Sequence, residues 1–495
     1  MTTLTTDWLQ RYPAPLVRAL ARLAQQRGVQ FYITGGTVRD WLLGRMANDL
    51  DITVAVDGMG CARNLAKELG GSYVPLDADE DVARVVWQQI TVDFAGFRER
   101  TFTINADLRK RDFTMNGLAI PFAADRQGLH ETLEIIDPGT GIADLNAGLV
   151  RCSVPDVFES DPLRLLRAYR FMATLGFSIE VGTAAAIRTR HRLINNVSPE
   201  RVSYELGQIM ASERAAVTVR RLRVDGLLAV LFPELQEGEG VVQPASHHLD
   251  VLEHGLAALA WMETILATPG DFFPGQKVEL LGYLAAGPRP AWLKWAALFH
   301  DLGKPAVCRI RPDKGGRITF YNHDRVGGER FARIAGRLKW SRLDTRMVVQ
   351  FIVQHMWPFH LNNARLRTGL TPRAYLRLVK ATGVELPGLF LLAMADSLAG
   401  QGPGKPAGME AGLALLFGET IRVARELIEP VLAQPRLLTG HDLMAMGIPP
   451  GPLYRRILDE LETAQVEGVI ENRSQAVQWL AAFVEKQGFP APAAK

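Results

Sequence analysis

Asp49 and Asp51 stand one residue apart near the end of the stretch TGGTVRDWLLGRMANDLDITV, Thr34 to Val54. The apolar run LDITVAV reads as a buried strand, and a strand's period of two puts both carboxylates on the same side. Two like charges so placed repel unless a cation lies between them, and hard divalent cations such as Mg²⁺ take oxygen ligands. A third carboxylate on a neighbouring strand would complete the site, and Asp93 in ITVDFAGF is the candidate. Such a site runs in-line nucleotidyl transfer: one ion lowers the pKa of an attacking 3′-hydroxyl and another holds a triphosphate and its leaving group. Gly35 and Gly36 would let backbone approach phosphate, with the next helix N-terminus facing it, and Arg39 would add positive charge. A DxD or a GG pair alone is commoner in structural turns; it is their order and spacing together that carry this reading.

These residues need elements to hold them. Leu16, Val17, Leu20 and Leu23 recur at helical spacing, and Gly28 ends that helix. VQFYITGG reads as a short buried strand entering a tight turn, TVRDWLLG as a helix stopping at Gly44, CARNLAKELGG as a glycine-capped helix and QQITVDFAGF as a further strand. This predicts a small mixed α/β head over about the first 145 residues. From Asp156 to Glu234 strand signals vanish. Every Lys or Arg between positions 151 and 234 is an arginine, 12 in all against nine acids. Composition alone reads first as solvated helix faces; the sharper reading is a phosphate-contacting surface, since arginine forks match phosphate oxygens. From His247 to Asp396 the chain is again helical and gathers histidines. AGQGPGKPAGMEAG, Ala399 to Gly412, reads as a linker or surface loop, and a last helical unit follows.

Bulk properties limit the rest. A chain of 495 residues with 47% hydrophobic composition is expected to form two to four domains. The net charge of +3 gives no global basic character, so any nucleic-acid surface must be local. Cys61, Cys152 and Cys308 are scattered and form neither a disulfide framework nor a CxxC knuckle, which fits a reducing compartment. The N-terminus has no basic-then-apolar signal pattern. No run of 18 or more apolar residues is present, so no membrane span is expected. The expected setting is the cytoplasm.

GGTVRDWLLGRMANDLDI resembles the signature of class II tRNA nucleotidyltransferases and the related bacterial poly(A) polymerases, within the polymerase-β-like superfamily. LRKRDFTMNGLAI, Leu108 to Ile120, is similar to the family's RRDFTxNA element, with Lys110 for the first arginine and Gly117 for the usual alanine. SDPLRLLRAYRFMATLGF, Ser160 to Phe177, resembles the element that reads the incoming base, and ERVSYEL, Glu200 to Leu206, the neck motif. The resemblance covers about 200 residues in the family's order. It implies Asp49 and Asp51 as catalytic metal ligands, Gly36 and Arg39 on the triphosphate, and Asp112 and Asn116 on the ribose. It implies Asp161 and Arg164, three apart on a helix and so on one face, as a protein template for the bases of CTP and ATP. Aspartate accepts from the exocyclic amine that C and A share, and arginine donates to ring acceptors; G and U present a carbonyl that a carboxylate rejects. Arg167 and Arg170 join the expected nucleotide-binding set, and Arg188, Arg190 and Arg201 the expected RNA-binding set. Ser160 departs from the acid many members carry there.

A second resemblance lies downstream. SHHLDVLEHGL, LFHDLGKP, YNHDRVGGE, IVQHM and MADS follow in order, and a His-Asp doublet with a distant His and a distant Asp is similar to the ligand set of HD-type metal phosphohydrolases. This implies His254, His300, Asp301 and Asp396 as ligands of a divalent ion such as Mn²⁺, Ni²⁺, Co²⁺ or Mg²⁺, with His323 and His355 adding a second ion or holding phosphate. The second HD, His441-Asp442, lacks such partners and is expected to cap a helix.

The expected architecture is an α/β nucleotidyltransferase head with a mixed sheet (1–148), then all-α parts: a base-reading and RNA-binding neck (149–237), an HD domain (238–400), and a linker with a tRNA-binding helical tail (401–495). The expected activity is synthesis or repair of the tRNA 3′-CCA end, with tRNA, CTP and ATP as partners; monomer and dimer stay open. Only 18 residues separate Asp93 from Arg111, with no Gly/Pro-rich excursion. As the resemblance has it, members that add only the two C residues lack the long mobile loop found here in members that add all three. The reading therefore leans to CC addition, with full CCA or A-only addition as alternatives should DADEDVAR, Asp77 to Arg84, serve as the lever. Poly(A) polymerase is disfavoured by the short, weakly basic C-terminus EKQGFPAPAAK. An HD-type RNA phosphodiesterase with a degenerate head is disfavoured by the intact DxD, and a non-catalytic RNA-binding regulator by two complete constellations.

Overall fold

The structure is a computed structural model that describes residues 3–5, 7–46, 49–122, 124–125, 128–129 and 132–486. All but the first two residues of EKQGFPAPAAK lie outside the described residues. The chain forms two compact units: Met1–Arg214 with Arg220–Leu231, and Ala215–Val219 with Phe232–Lys495.

The first unit is built on a six-stranded sheet: β1 (Phe31–Thr34), β2 (Asp49–Val54), β3 (Ser72–Asp77), β4 (Val82–Trp87), β5 (Ile90–Gly96) and β6 (Ala119–Phe122), in the order β3-β4-β5-β2-β1-β6. The β2–β5 pair is parallel and its neighbours are antiparallel, so the sheet is mixed, as expected. Alternation decides its faces. Leu50, Ile52 and Val54 of β2, with Val92 and Phe94 of β5, enter a core shared with Leu16, Leu20 and Leu23 of the Ala14–Arg27 helix and Leu65 of the Gly58–Leu69 helix. Asp49 and Asp51 therefore fall on the opposite, open face. Gly28 and Gly70 end those helices in the left-handed conformation. Beyond the sheet the described residues of this unit form three two-stranded pairs, Thr3–Thr5 with Thr132–Glu134, Ala124–Asp125 with Gly128–Leu129 and Leu149–Val150 with Ser178–Ile179, the last inside the neck that was expected to be all-α. The rest is mostly helical, and the Arg164–Leu175 and Pro199–Ala211 helices pack on each other.

Among its described residues the second unit is helical apart from one hairpin, Arg309–Arg311 with Arg317–Thr319. Its centre is the Leu386–Ala399 helix, buried nearly all round, against which Val251–Ala267 and Arg289–Phe299 pack. The most apolar window of the 372–399 stretch is long enough to cross a bilayer, and 72% of it is buried inside the protein. The Gly/Pro-rich stretch after Ala399 is a loop folded onto Pro244–His248: the Gly402 N–H donates to Ser246 O and the Gly404 N–H to Ala245 O. At His441-Asp442 the expectation holds, since Thr439 and Asp442 form a reciprocal capping box on the Gly440–Ala445 helix.

Candidate functional site

Asp93 lies directly opposite Asp51 in the parallel β2–β5 register, so the three carboxylates share the open face of adjacent strands. They line a cleft of about 750 Å³ together with Gly35, Gly36 and Arg39. Although its edge is open to the cleft, Asp51 is deep enough that burial raises its pKa; Arg111 works against this and Asp93 adds to it. Asp93 is not bare: Arg84 Nε donates to Oδ1 and Arg84 Nη2 to Oδ2, both at 2.8 Å.

The glycine turn is stitched to β2. The Thr37 hydroxyl donates to Asp49 O at 3.1 Å and accepts from the Asp51 N–H at 2.8 Å. Gly35 has φ +63°, and a Cβ there would meet Arg111 Nη1 at 2.7 Å; one on Gly36 would meet Asp51 Oδ2 at 3.2 Å. Side chains at either position would intrude on the carboxylate. Arg111 lies beneath, donating through Nη2 to the Thr34 and Thr53 hydroxyls at 3.0 and 2.8 Å and to Asp107 at 3.3 Å. Burial, seconded by Arg98, lowers its pKa to about 10 despite Asp107.

The rest of the nucleotide set forms one network. Arg39 Nη1 donates to Asn116 Oδ1 at 2.8 Å, and Asn116 Nδ2 to Asp112 Oδ1 at 2.9 Å. Arg167 donates to Asp112 Oδ2 through Nε and Nη2 at 2.9 and 2.7 Å. Burial would raise the Asp112 pKa, but the Arg167 charge and the hydrogen bonds from Asn116 and Arg167 hold it well below the carboxylate range. Arg170 Nε lies 2.7 Å from Oε2 of the buried Glu205. Phe171 receives three guanidinium groups over its ring, from Arg39, Arg167 and Arg170 at 5.0, 5.6 and 4.4 Å, close enough for cation–π attraction.

Asp161 and Arg164 both line the cleft but do not share a helix. Asp161 is extended at the end of Val157–Ser160, and Arg164 opens the next helix. Pro162 keeps Asp161 out of the helical conformation, and Asp161 Oδ1 accepts the Leu163 N–H at 3.2 Å across the break. Ser160 supports the pair in place of an acid, its hydroxyl accepting from Arg164 Nη1 at 2.9 Å. The three arginines expected on RNA each have a partner in the protein: Arg188 with Asp225, Arg190 with Glu159, and Arg201 with Asp161 Oδ2 at 3.0 Å.

In the second unit, His254, His300, Asp301 and Asp396 converge, each from a different helix or helix end save the adjacent His300 and Asp301. His254 Nε2 is 3.0 Å from Asp396 Oδ1 and 3.2 Å from His300 Nε2, which is 3.2 Å from Asp301 Oδ2. On the other side of Asp301, Oδ1 lies 3.4 Å from His323 Nε2 and 3.8 Å from His355 Nε2. The Nδ1 atoms of His300, His323 and His355 meet backbone carbonyls at 2.9, 2.8 and 2.7 Å. In the neutral ring that leaves Nε2 as the lone pair, the state a metal ligand needs, and His300 sheds its Nε2 proton to reach it. Neither Asp301 oxygen accepts a well-formed hydrogen bond, although Lys304 Nζ stands 2.5 Å from Oδ2. Burial lowers His355 to about 3, whereas Asp301 and Asp396 outweigh burial at His300 and push it up to about 10. Gly303 lets the doublet approach its neighbour, since a Cβ there would sit 2.0 Å from His323 O.

Two stretches match family models: residues 31–151 the poly A polymerase head domain, and residues 176–238 the probable RNA- and SrmB-binding site of polymerase A. The chain is 33% identical to an A-adding tRNA nucleotidyltransferase of Deinococcus radiodurans over 92% of its own length and 95% of the relative's. The chain belongs to the tRNA nucleotidyltransferase family. A CC-adding tRNA nucleotidyltransferase of Thermus thermophilus is likewise 33% identical, over 90% of this chain and 92% of that one. The solved complex of a CCA-adding enzyme with CTP shares the fold, with a TM-score of 0.66 at 19% identity over 98% of this chain and all of that one.

As a tRNA nucleotidyltransferase the chain is an enzyme of a family that depends on a divalent metal. Three carboxylates on one face, Asp51 and Asp93 in register and Asp51 with its pKa raised by burial, are a donor set that fits such an ion. Sequence reading missed Arg84, Phe171 and Glu205 as site residues, and left Arg111 and Lys304 unassigned. Arg84 gave one signal, a charge inside the otherwise apolar strand VARVVW. The histidine cluster lies outside both matched stretches.

Proposed function

We propose that this nucleotidyltransferase transfers CMP from CTP to the 3′-hydroxyl of tRNA in the cytoplasm, building the two C residues of the CCA end. The observation carrying this is the carboxylate trio beside the glycine turn, in a cleft that also holds Arg39, Asp161 and Arg164. Asp49, Asp51 and Asp93 would hold the catalytic Mg²⁺, which supplies acidity to the attacking hydroxyl and charge to the leaving pyrophosphate. Gly35 and Gly36 leave room for phosphate, and Arg39, fixed by Asn116, offers its charge to it. Asp112 and Asn116 hold the wall on which the ribose rests. Asp161, steadied by Arg201, and Arg164, steadied by Ser160, offer an acceptor and a donor to the base edge. The neck arginines meet tRNA phosphates by exchanging their present acidic partners, which makes binding salt-dependent.

Restriction to C is supported by the connection after β5. Arg98 to Thr103 leads straight into the Ile104–Arg109 helix, and the Arg98 N–H is bound by buried Asp107 at 2.8 Å. A tethered connection this short has little reach to reshape a pocket. The A-adding reading is favoured by the Deinococcus relative. Incubation with tRNA ending at the discriminator base and single labelled nucleotides separates them: CTP alone should give a two-residue extension, and later ATP no growth.

We also propose that the second unit is an HD-type, metal-dependent phosphohydrolase acting on 2′,3′-cyclic or terminal phosphates. The support is the convergence of Nε2 atoms on Asp301, which fits an ion of the Mn²⁺, Ni²⁺, Co²⁺ or Mg²⁺ class held by His254, His300, Asp301 and Asp396, with His323 and His355 offering a second position.

A further inference from the structure

Arg84 and Asp93 face each other in the antiparallel β4–β5 register, and Asp93 and Asp51 in the parallel β5–β2 register. Three charged side chains therefore stand in a row on one face of the sheet, with Asp49 two residues from Asp51. The guanidinium fork engages both Asp93 oxygens, the strongest geometry an arginine has for a carboxylate. The Arg84 side chain is 42% exposed, against 21% for Asp93. Nothing in the sheet's core requires an arginine there: Ala83 and Val85, its neighbours in β4, supply the buried face.

We propose that Arg84 is a positioning residue that sets how tightly the carboxylate trio holds its divalent ion and makes tight loading depend on bound nucleotide. This rests on the reading of Asp93 as a metal ligand. A carboxylate offers about four lone-pair sites, and the fork consumes two of them, one on each oxygen. Asp93 is thus held in one orientation with acceptor capacity left over, but with its charge largely neutralised. An ion approaching the trio meets Asp49 and Asp51 with no guanidinium fork on them, and Asp93 with its charge partly offset by one. A triphosphate entering the cleft brings the missing negative charge. Ion and nucleotide then load together, and an ion without nucleotide is held weakly.

The test uses the full chain as wild type, Arg84→Gln, Arg84→Lys and Asp93→Asn. Binding of Mn²⁺ is read directly from the free-ion EPR signal, with and without CTP, and ions held elsewhere are subtracted with an Asp49→Ala/Asp51→Ala variant. CMP addition is measured in parallel against Mg²⁺ concentration. Arg84→Gln should tighten Mn²⁺ binding without CTP by about fivefold, the scale of one partly exposed ion pair, and shrink the further gain from CTP. Its addition should saturate at correspondingly lower Mg²⁺. Arg84→Lys should stay near wild type, and Asp93→Asn should weaken ion binding in both states. Unchanged binding and Mg²⁺ dependence in Arg84→Gln, with Asp93→Asn impaired, would overturn the role of Arg84 alone. A wild-type Asp93→Asn would instead remove Asp93 from the ligand set and the proposal with it.

Discussion

Asp51 carries a charge that its surroundings oppose, since burial and the facing Asp93 both raise its pKa. A divalent ion relieves that opposition, so losing the ligand loses both the ion and the activation of the hydroxyl. Asp49→Ala or Asp51→Ala should lower CMP addition by about a thousandfold or more, the scale of several kcal/mol of lost charge stabilisation. Circular dichroism and tRNA binding should stay near wild type, and near-normal addition in either variant would sink the assignment. Asp161 differs, because it both attracts an amine and repels a carbonyl. Asp161→Ala should relax discrimination against UTP and GTP more than it slows CTP; a uniform fall in all rates would make the residue structural. Asp112 gives a pH prediction. Its folded pKa lies below the usual 3.8, held down by Arg167 and Asn116 against burial. A depressed acid contributes stability that is present above its unfolded pKa and lost as pH falls towards the folded one. Arg167→Leu should therefore flatten the loss of stability below about pH 4, followed by thermal melts across the acid range; an unchanged slope would show that the pair contributes nothing. Asp49, Asp51 and Asp93 were legible because strand period and charge repulsion speak together. Phe171 was not, since an aromatic at helical spacing reads as core, and only the structure gathers Arg39, Arg167 and Arg170 over its ring.

The elements most visible in the sequence were those with a strong period or a glycine stop, such as Ala14–Arg27 ending at Gly28 and β2 with its Leu50, Ile52 and Val54. β3 was hidden because SYVPLD is largely exposed and carries a proline, so it lacks the alternation of a half-buried strand. The Arg309–Thr319 hairpin was hidden because its strands have only three residues each, too few to show an alternation. The break between Asp161 and Arg164 follows from Pro162, which holds Asp161 extended; that signal stood in SDPLRLL, and reading the pair as sharing one helix passed over it. The stretch DADEDVAR, read as a possible lever, runs from the end of β3 through the turn at 78–81 into β4, and Asp81 accepts the Gly58 and Met59 N–H groups at 2.6 and 2.9 Å. A turn pinned to a helix N-terminus is stiff. Asp81→Ala should free it and lower thermal stability by about 1 kcal/mol, the usual cost of a lost cap, measurable by denaturant titration. If instead that variant gained ATP incorporation after the two C residues, the turn would be the lever and the short connection after β5 would not limit the product.

Across the whole chain, two units each carry their own constellation: carboxylates on a sheet in one, imidazoles and carboxylates among helices in the other. Their chemistry differs in kind. Oxygen ligands alone suit Mg²⁺, whereas imidazole nitrogen with Nδ1 tied to backbone suits a transition metal. In the helical cluster Asp301 is held charged against burial by His300 and Lys304, and its oxygens, which accept no well-formed hydrogen bond, stay open to an ion. Binding an ion there should stabilise the unit that contains it, by mass action on the folded state. Chelation of the full chain should therefore lower the melting temperature of one transition, and Mn²⁺, Co²⁺ or Ni²⁺ should restore it better than Mg²⁺. His300→Ala with Asp301→Ala should remove both that ion dependence and hydrolysis of 2′,3′-cyclic or terminal phosphates, while CMP addition to tRNA stays at wild-type level. Asp49→Ala should give the mirror result. Because melting reports binding and phosphate release reports turnover, the two readouts divide the outcomes: restored melting with an inert wild type on every phosphate substrate would make the ion structural, and melting indifferent to chelation would remove the metal from the second unit altogether.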